Sequence, residues 1–219
     1  MPRIGEVSRK DLHASAQPVF NMLFGDRDPT TSPGTGSGTP GNWWTVFANV
    51  PDIFDHAVSG FTLYQQPERE IDGKLRELAV ARAGYCCSSQ FVFSQHCKAC
   101  RDAGLSDVQI EAIPSWSVAT CFSTLERAVL ALTDALALEH GRVDDEIFSI
   151  LKTELSDKAI FELTYIASMY VMHAGISRAL RLEYDEVGER VREVPAPNGK
   201  TGLAETLVVD PREVPAPER

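Results

Sequence analysis

Two residues in this chain have the types and the spacing for proton-transfer chemistry, Glu77 and His96. An imidazole can give or take a proton near neutral pH, and a carboxylate beside it can orient the ring, so the two together make a general acid–base unit. If residues 70–84 form a helix, Glu77 shares a face with Val80, Ala81 and Gly84, at steps of three, four and seven. That face is small and apolar, and a carboxylate buried on it must find a partner or shift its pKa. On the next helix Ser89, Val92, Phe93, His96 and Cys100 recur at steps of three and four. A lone histidine on such a stripe is more often a satisfied core residue. The Glu partner on the preceding helix is what favours chemistry here.

Other side chains offer rival or supporting roles. Arg82 suits a substrate carboxylate, because a guanidinium binds one through two parallel hydrogen bonds; the competing reading is an ordinary salt bridge. Cys86 and Cys87 are expected just before a helix start, where exposed N–H groups favour a thiolate. Cys97-Lys-Ala-Cys100 has redox spacing but falls mid-helix, away from that positive end. All of these thiols can equally be small buried hydrophobes. His96, Cys97, Cys100 and His173 make a poor metal set, since neighbours on a helix diverge by about 100°. Trp43, Trp44, Tyr85, Phe91 and Phe93 can wall a pocket or simply fill a core.

These residues need helices to hold them, and the chain reads as all-α. Helices are expected near 8–24, 52–66, 70–84, 88–103, 106–113, 123–140, 143–154 and 156–182. Pro51 marks one start, and Ser106-x-x-Gln109 and Ser123-x-x-Glu126 are reciprocal capping signatures at two others. Gly104 and Gly141 sit where left-handed C-caps would close helices. Residues 26–42 combine Pro, Gly and small polar types, a loop or lid expected to bury almost nothing. Near the end, Arg192-Glu-Val-Pro-Ala-Pro197 returns as Arg212-Glu-Val-Pro-Ala-Pro217. A Pro-containing hexapeptide cannot make a core alone, so it is expected either extended on a surface, its own or a neighbour's, or disordered.

Composition sets the outer bounds. Of 219 residues, 43% are hydrophobic and 24% charged, enough apolar content for a sizeable core. The formal net charge of -10 opposes nucleic acid and acidic membranes as partners. The apolar runs are all shorter than the ~20 residues a membrane span needs, and no apolar segment follows the start, so a cytoplasmic protein is expected. Five cysteines crowded into one third of the chain fit reduced thiols better than an extracellular disulfide framework.

Glu77, His96 nineteen residues on, and then Ala103-Gly104-Leu105-Ser106-Asp107 resemble the carboxymuconolactone decarboxylase and alkylhydroperoxidase-like superfamily. Leu125-Glu126-Arg127-Ala128, Glu162-Leu163-Thr164 and Ala179-Leu180-Arg181-Leu182-Glu183 extend the similarity over about residues 43–184. In the peroxidase branch of that family a Cys-x-x-Cys pair stands seven and four residues before the histidine. Ser89 and Val92 hold those positions here, so the decarboxylase-like branch fits better.

The resemblance implies an alkylhydroperoxidase-like helical fold in a single domain: a helix and Gly/Pro-rich loop over 1–42, the helical domain over 43–184, and an extended tail over 185–219. It also implies a homo-oligomer, a trimer or hexamer. The expected activity is a lyase that uses no cofactor and no metal, acting on a small carboxylated lactone or ring compound. Glu77 and His96 are its expected catalytic residues, and Arg82, Ser89, Val92, Phe93 and Trp44 its substrate-binding ones. The alternatives are a thiol peroxidase or reductase using Cys86 or Cys87, and a non-catalytic oligomeric scaffold.

Overall fold

Side-chain caps and prolines set most element boundaries in the computed structural model, which describes residues 1–186, 188, 191–197, 199 and 201–203. Among the described residues the chain forms α1 (Gln17–Phe24), α2 (Asn42–Phe47), α3 (Pro51–Tyr64), α4 (Gly73–Cys86), α5 (Gln90–Asp102), α6 (Asp107–Ala112), α7 (Thr124–Leu138), α8 (Asp145–Glu154) and α9 (Asp157–Leu180). No strand occurs among them. The two capping boxes, Ser106 with Gln109 and Ser123 with Glu126, form as their spacing predicts. Asp72, Ser89 and Ser156 cap α4, α5 and α9 by accepting N–H groups that the first helical turn leaves without partners.

Three segments differ from the sequence-based expectation, the first being α2, which lies outside the expected helices. Residues 8–24 form two short 3-10 turns followed by α1, because Pro18 in the first turn has no N–H to continue a helix and fixes its start. The 26–42 loop buries more than its composition suggests. Arg27 donates to the carbonyls of Ser32 and Gly34, and Thr35 and Thr39 bond each other in the interior.

Helix α4 lies at the centre, packed against α5, α7 and α9. Val80, Ala83, Leu132, Leu163, Ile166 and Ala167 form the main core between these helices. A second cluster, including Phe20, Phe24, Trp43, Phe47, Phe54 and Leu182, joins the N-terminal segments to the end of α9. Helix α9 corrects the expectation that no segment is long and apolar enough to cross a bilayer. It passes that test by length and composition, but half of its apolar window is buried inside the fold, as in the core helix of a bundle.

The first hexapeptide of the tail runs extended along α5, on the chain's own surface. Arg192 exchanges backbone hydrogen bonds with the Gln90 amide, and Val194 does so with the Ser94 hydroxyl. The second hexapeptide, residues 212–217, lies outside the described residues.

Candidate active site

The approach of α4 to α5 is set by a residue without a side chain. A Cβ on Gly84 would stand 2.7 Å from the Phe93 nitrogen and 2.9 Å from a Val92 methyl, so only glycine permits this spacing. Two turns earlier on α4, Glu77 faces α5 and meets His96, with 2.8 Å between Glu77 Oε2 and His96 Nδ1. Both are buried, at 3% and 5% exposure. The second carboxylate oxygen, Oε1, accepts from Arg76 Nε at 3.0 Å. The carboxylate is thus held between an imidazole and a guanidinium.

Two tyrosines complete the surroundings. Tyr170 of α9 stands edge-on to the His96 ring, with centroids 4.5 Å apart, and Tyr64 of α3 packs edge-on to Tyr170 at 5.5 Å. Arg76 lies 5.2 Å from the centre of the Tyr64 ring and donates to the Tyr64 carbonyl.

The electrostatics follow from these partners. Burial pushes the Glu77 carboxyl up, but the hydrogen bond and charge of His96, and then Arg76, outweigh it, so Glu77 is held below the usual carboxylate range. Burial first, and then neighbouring phenol and carboxylate groups, raise the Tyr170 hydroxyl, and burial and then the Glu77 charge raise Tyr64. Both phenols therefore stay protonated. With Nδ1 committed to Glu77, Nε2 is the ring nitrogen left outside this contact.

Several residues expected at this site serve elsewhere. Arg82 is corrected from substrate anchor to internal clamp. Its Nε and Nη2 grip the two Asp134 oxygens at 2.6 and 3.0 Å, and Nη1 donates to the Ile113 and Pro114 carbonyls. Asp134 also accepts from Trp116 Nε1 and the Cys86 thiol. Ser89 caps α5 and donates to Asp185, and Val92 lies in the main core. Phe93 packs on Tyr85 and lines a cavity of about 440 Å³ with Cys97, Ile110 and Val191. Trp44 packs against Phe54 and Phe61.

The cysteine expectation needs a similar correction. Cys86 is the last residue of α4 and Cys87 its C-cap, so they occupy the negative end of a helix and not the positive start of one. Burial, together with the Asp134 charge, pushes the Cys86 thiol up to about 12, against the partial offset of Arg82. Cys87 is raised by burial alone. Cys97 is pushed up to about 12, and Cys100 lies well above its ordinary value, again chiefly by burial. None of these thiols is poised as a nucleophile.

Sequence reasoning missed Arg76, Tyr64 and Tyr170 at the site. Arg76 was signalled by its adjacency to Glu77, but the tyrosines come from helices distant in sequence and carry no local signal. His173, a second buried histidine, carried by α9, sits among Trp43, Phe47 and Phe61 with no hydrogen-bond partner at Nδ1. Burial, helped slightly by His56, lowers its pKa to about 4.

Fold and site together define an all-helical protein with a buried carboxylate–imidazole pair on two adjacent helices. Residues 54–135, the segment that carries the pair, match the model of the carboxymuconolactone decarboxylase family. Among curated proteins none matches the chain.

Solved structures agree on the fold. An alkylhydroperoxidase AhpD core protein, uncharacterized and peroxidase-related, from Ralstonia eutropha JMP134 aligns with a TM-score of 0.63 at 13% identity, over 84% of this chain and 95% of that one. The apo form of the debrominase Bmp8 aligns at 0.62 and 17% identity, over 92% and 94%. A protein of unknown function from Agrobacterium tumefaciens aligns at 0.57 and 23%, over 62% and 92%. At these identities the similarity establishes the alkylhydroperoxidase-like helical fold alone.

Proposed function

We propose that this protein is a cofactor-free acid–base enzyme of the carboxymuconolactone decarboxylase type, acting on a small carboxylated lactone or ring compound. The observation that carries this is the buried 2.8 Å contact between Glu77 and His96. Loss of carbon dioxide leaves electron density that is delocalised into a carbonyl and then protonated. His96 supplies that proton through Nε2, while Glu77 stays ionised and holds the Nδ1 side of the ring. The substrate-steering role expected of Arg82 passes to Arg76, the guanidinium beside the pair.

The test is carbon dioxide release from a panel of carboxylated lactones. His96→Ala should lower turnover by about 10²- to 10⁴-fold, and Glu77→Gln should also lower it. Unchanged turnover in both would overturn the acid–base reading and favour the scaffold one.

The thiol reading draws support from the peroxidase-related neighbour, and it makes the opposite demand. Cys86→Ser should leave lyase turnover within about twofold of the parent, because a thiol pushed up to about 12 is not the nucleophile. Assembly into a homo-oligomer is supported by Phe161, Tyr165 and Met172, which expose one apolar stripe along α9. Light scattering would report a mass near that of a single chain if this is wrong.

A further inference from the structure

The repeated hexapeptide sits in a groove whose contacts depend on its sequence. Helix α5 presents Gln90, Ser94, Lys98 and Arg101 on one face, at steps of four, four and three. Gln90 and Ser94 each pair with both backbone groups of alternate strap residues, Arg192 and Val194. Lys98 Nζ adds a bond to the Val194 carbonyl at 3.0 Å. Arg101 grips the Glu193 carboxylate through two contacts of 2.6 and 2.7 Å. Ala196 is buried, and Pro197 lies against Gly38, where a Cβ would collide with it.

Every one of these contacts is made to a residue between Arg192 and Pro197. All six recur unchanged, in the same order, from Arg212 to Pro217. The chain also returns to the right place, since Arg101 donates to the Thr201 carbonyl and Gly202 lies against Asp102, at the C-terminal end of α5. The nine steps from Leu203 to Arg212 can span up to about 30 Å, whereas α5 is about 20 Å long.

We propose that the α5 groove is a docking site for the sequence Arg-Glu-Val-Pro-Ala-Pro, and that residues 212–217 of the same chain are its second ligand, exchanging with residues 192–197. The exchange alters the neighbouring cavity. Val191, which precedes the first copy, is buried and lines that space beside Phe93 and Cys97; Pro211 precedes the second copy and takes its place. The cavity wall thus has two compositions within one chain.

Alkylation of Cys97 by iodoacetamide in the full-length protein, followed by peptide mass spectrometry, reads whether the groove is covered. Glu193→Ala with Val194→Pro removes the Arg101 grip and the Ser94 acceptor contact from the first copy only. That pair should raise the rate less than threefold, and Glu213→Ala with Val214→Pro should not raise it. All four changes together should raise it more than tenfold, as should Arg101→Ala, and the synthetic hexapeptide should restore protection to the fourfold variant. If the first-copy pair alone gives the full rise, or all four changes give none, the second copy is not a ligand.

The unaltered chain gives an independent readout that does not depend on how the variants fold. Carbodiimide should cross-link Lys98 to Glu213 as well as to Glu193, with a yield independent of protein concentration. Absence of the Glu213 product overturns the proposal, and a yield that grows with concentration assigns the second ligand to another copy of the chain.

Discussion

Glu77 and Glu183 are both buried carboxylates, yet their environments move them in opposite directions. Glu77 lies between a guanidinium and an imidazole and is held low. Glu183, just beyond α9, accepts backbone N–H groups from Gly41 at 2.8 Å and Trp43 at 2.7 Å and a hydrogen bond from the neutral Thr39 hydroxyl. Burial dominates there, and its carboxyl is pushed up to about 7. The histidines repeat the contrast, His96 beside a carboxylate and His173 in an aromatic surround that holds its pKa near 4. Depth alone therefore does not mark a reactive group. What differs is whether the partner can carry a charge or exchange a proton.

The sharpest way to break this contrast is to remove Glu77. Glu77→Ala strands Arg76 and His96 without their shared counter-charge, and stability should fall by about 3–5 kcal/mol, read from the urea midpoint. The wild-type contribution is present above the ordinary carboxylate range and is lost as pH falls through the depressed Glu77 pKa. A loss well under 1 kcal/mol would mean that the pairing contributes little.

Glu183 should show the reverse dependence. Its folded pKa lies above the unfolded one, so between pH 4.5 and 7 the native state holds the extra proton and stability declines as pH rises. That decline is about 3 kcal/mol by linkage. Glu183→Gln should flatten it while keeping one of the two backbone contacts, and an unchanged slope would contradict the assignment.

The smallest expected effect sharpens the histidine half of the comparison. His173 gains a proton in the folded state only near pH 4, but in the unfolded chain near 6.5. Its contribution is full above pH 6.5 and is lost as pH falls toward 4. His173→Phe keeps the ring in its aromatic surround and should remove that acid-side loss, of about 3 kcal/mol or less. Thermal denaturation between pH 4 and 7 would reveal it, and turnover should not change its pH profile.

The helices were legible because their ends are written locally. Ser106 with Gln109 and Ser123 with Glu126 sit within four residues of one another and cap as their spacing says. The Glu77–His96 pair was legible for a related reason, since two adjacent helices bring stripes of steps three and four face to face. What could not be read were the long-range partners. Arg82 finds Asp134 fifty-two residues away, and Tyr170 reaches His96 from α9. The 26–42 loop is expected to bury almost nothing, yet its end is anchored by Glu183, a residue 142 positions from Gly41. Cys86 was misplaced by a single boundary, because α4 runs on through it where the sequence suggested a stop at residue 84.

Gly84 governs the pair from a distance. It touches no proton and bears no charge, but adding one methyl group there would wedge two backbones apart and lengthen a contact two turns away. The pair is thus most vulnerable at its least reactive neighbour, and a redesign that altered every polar group while sparing this gap would still inherit the spacing on which the Glu77–His96 contact depends.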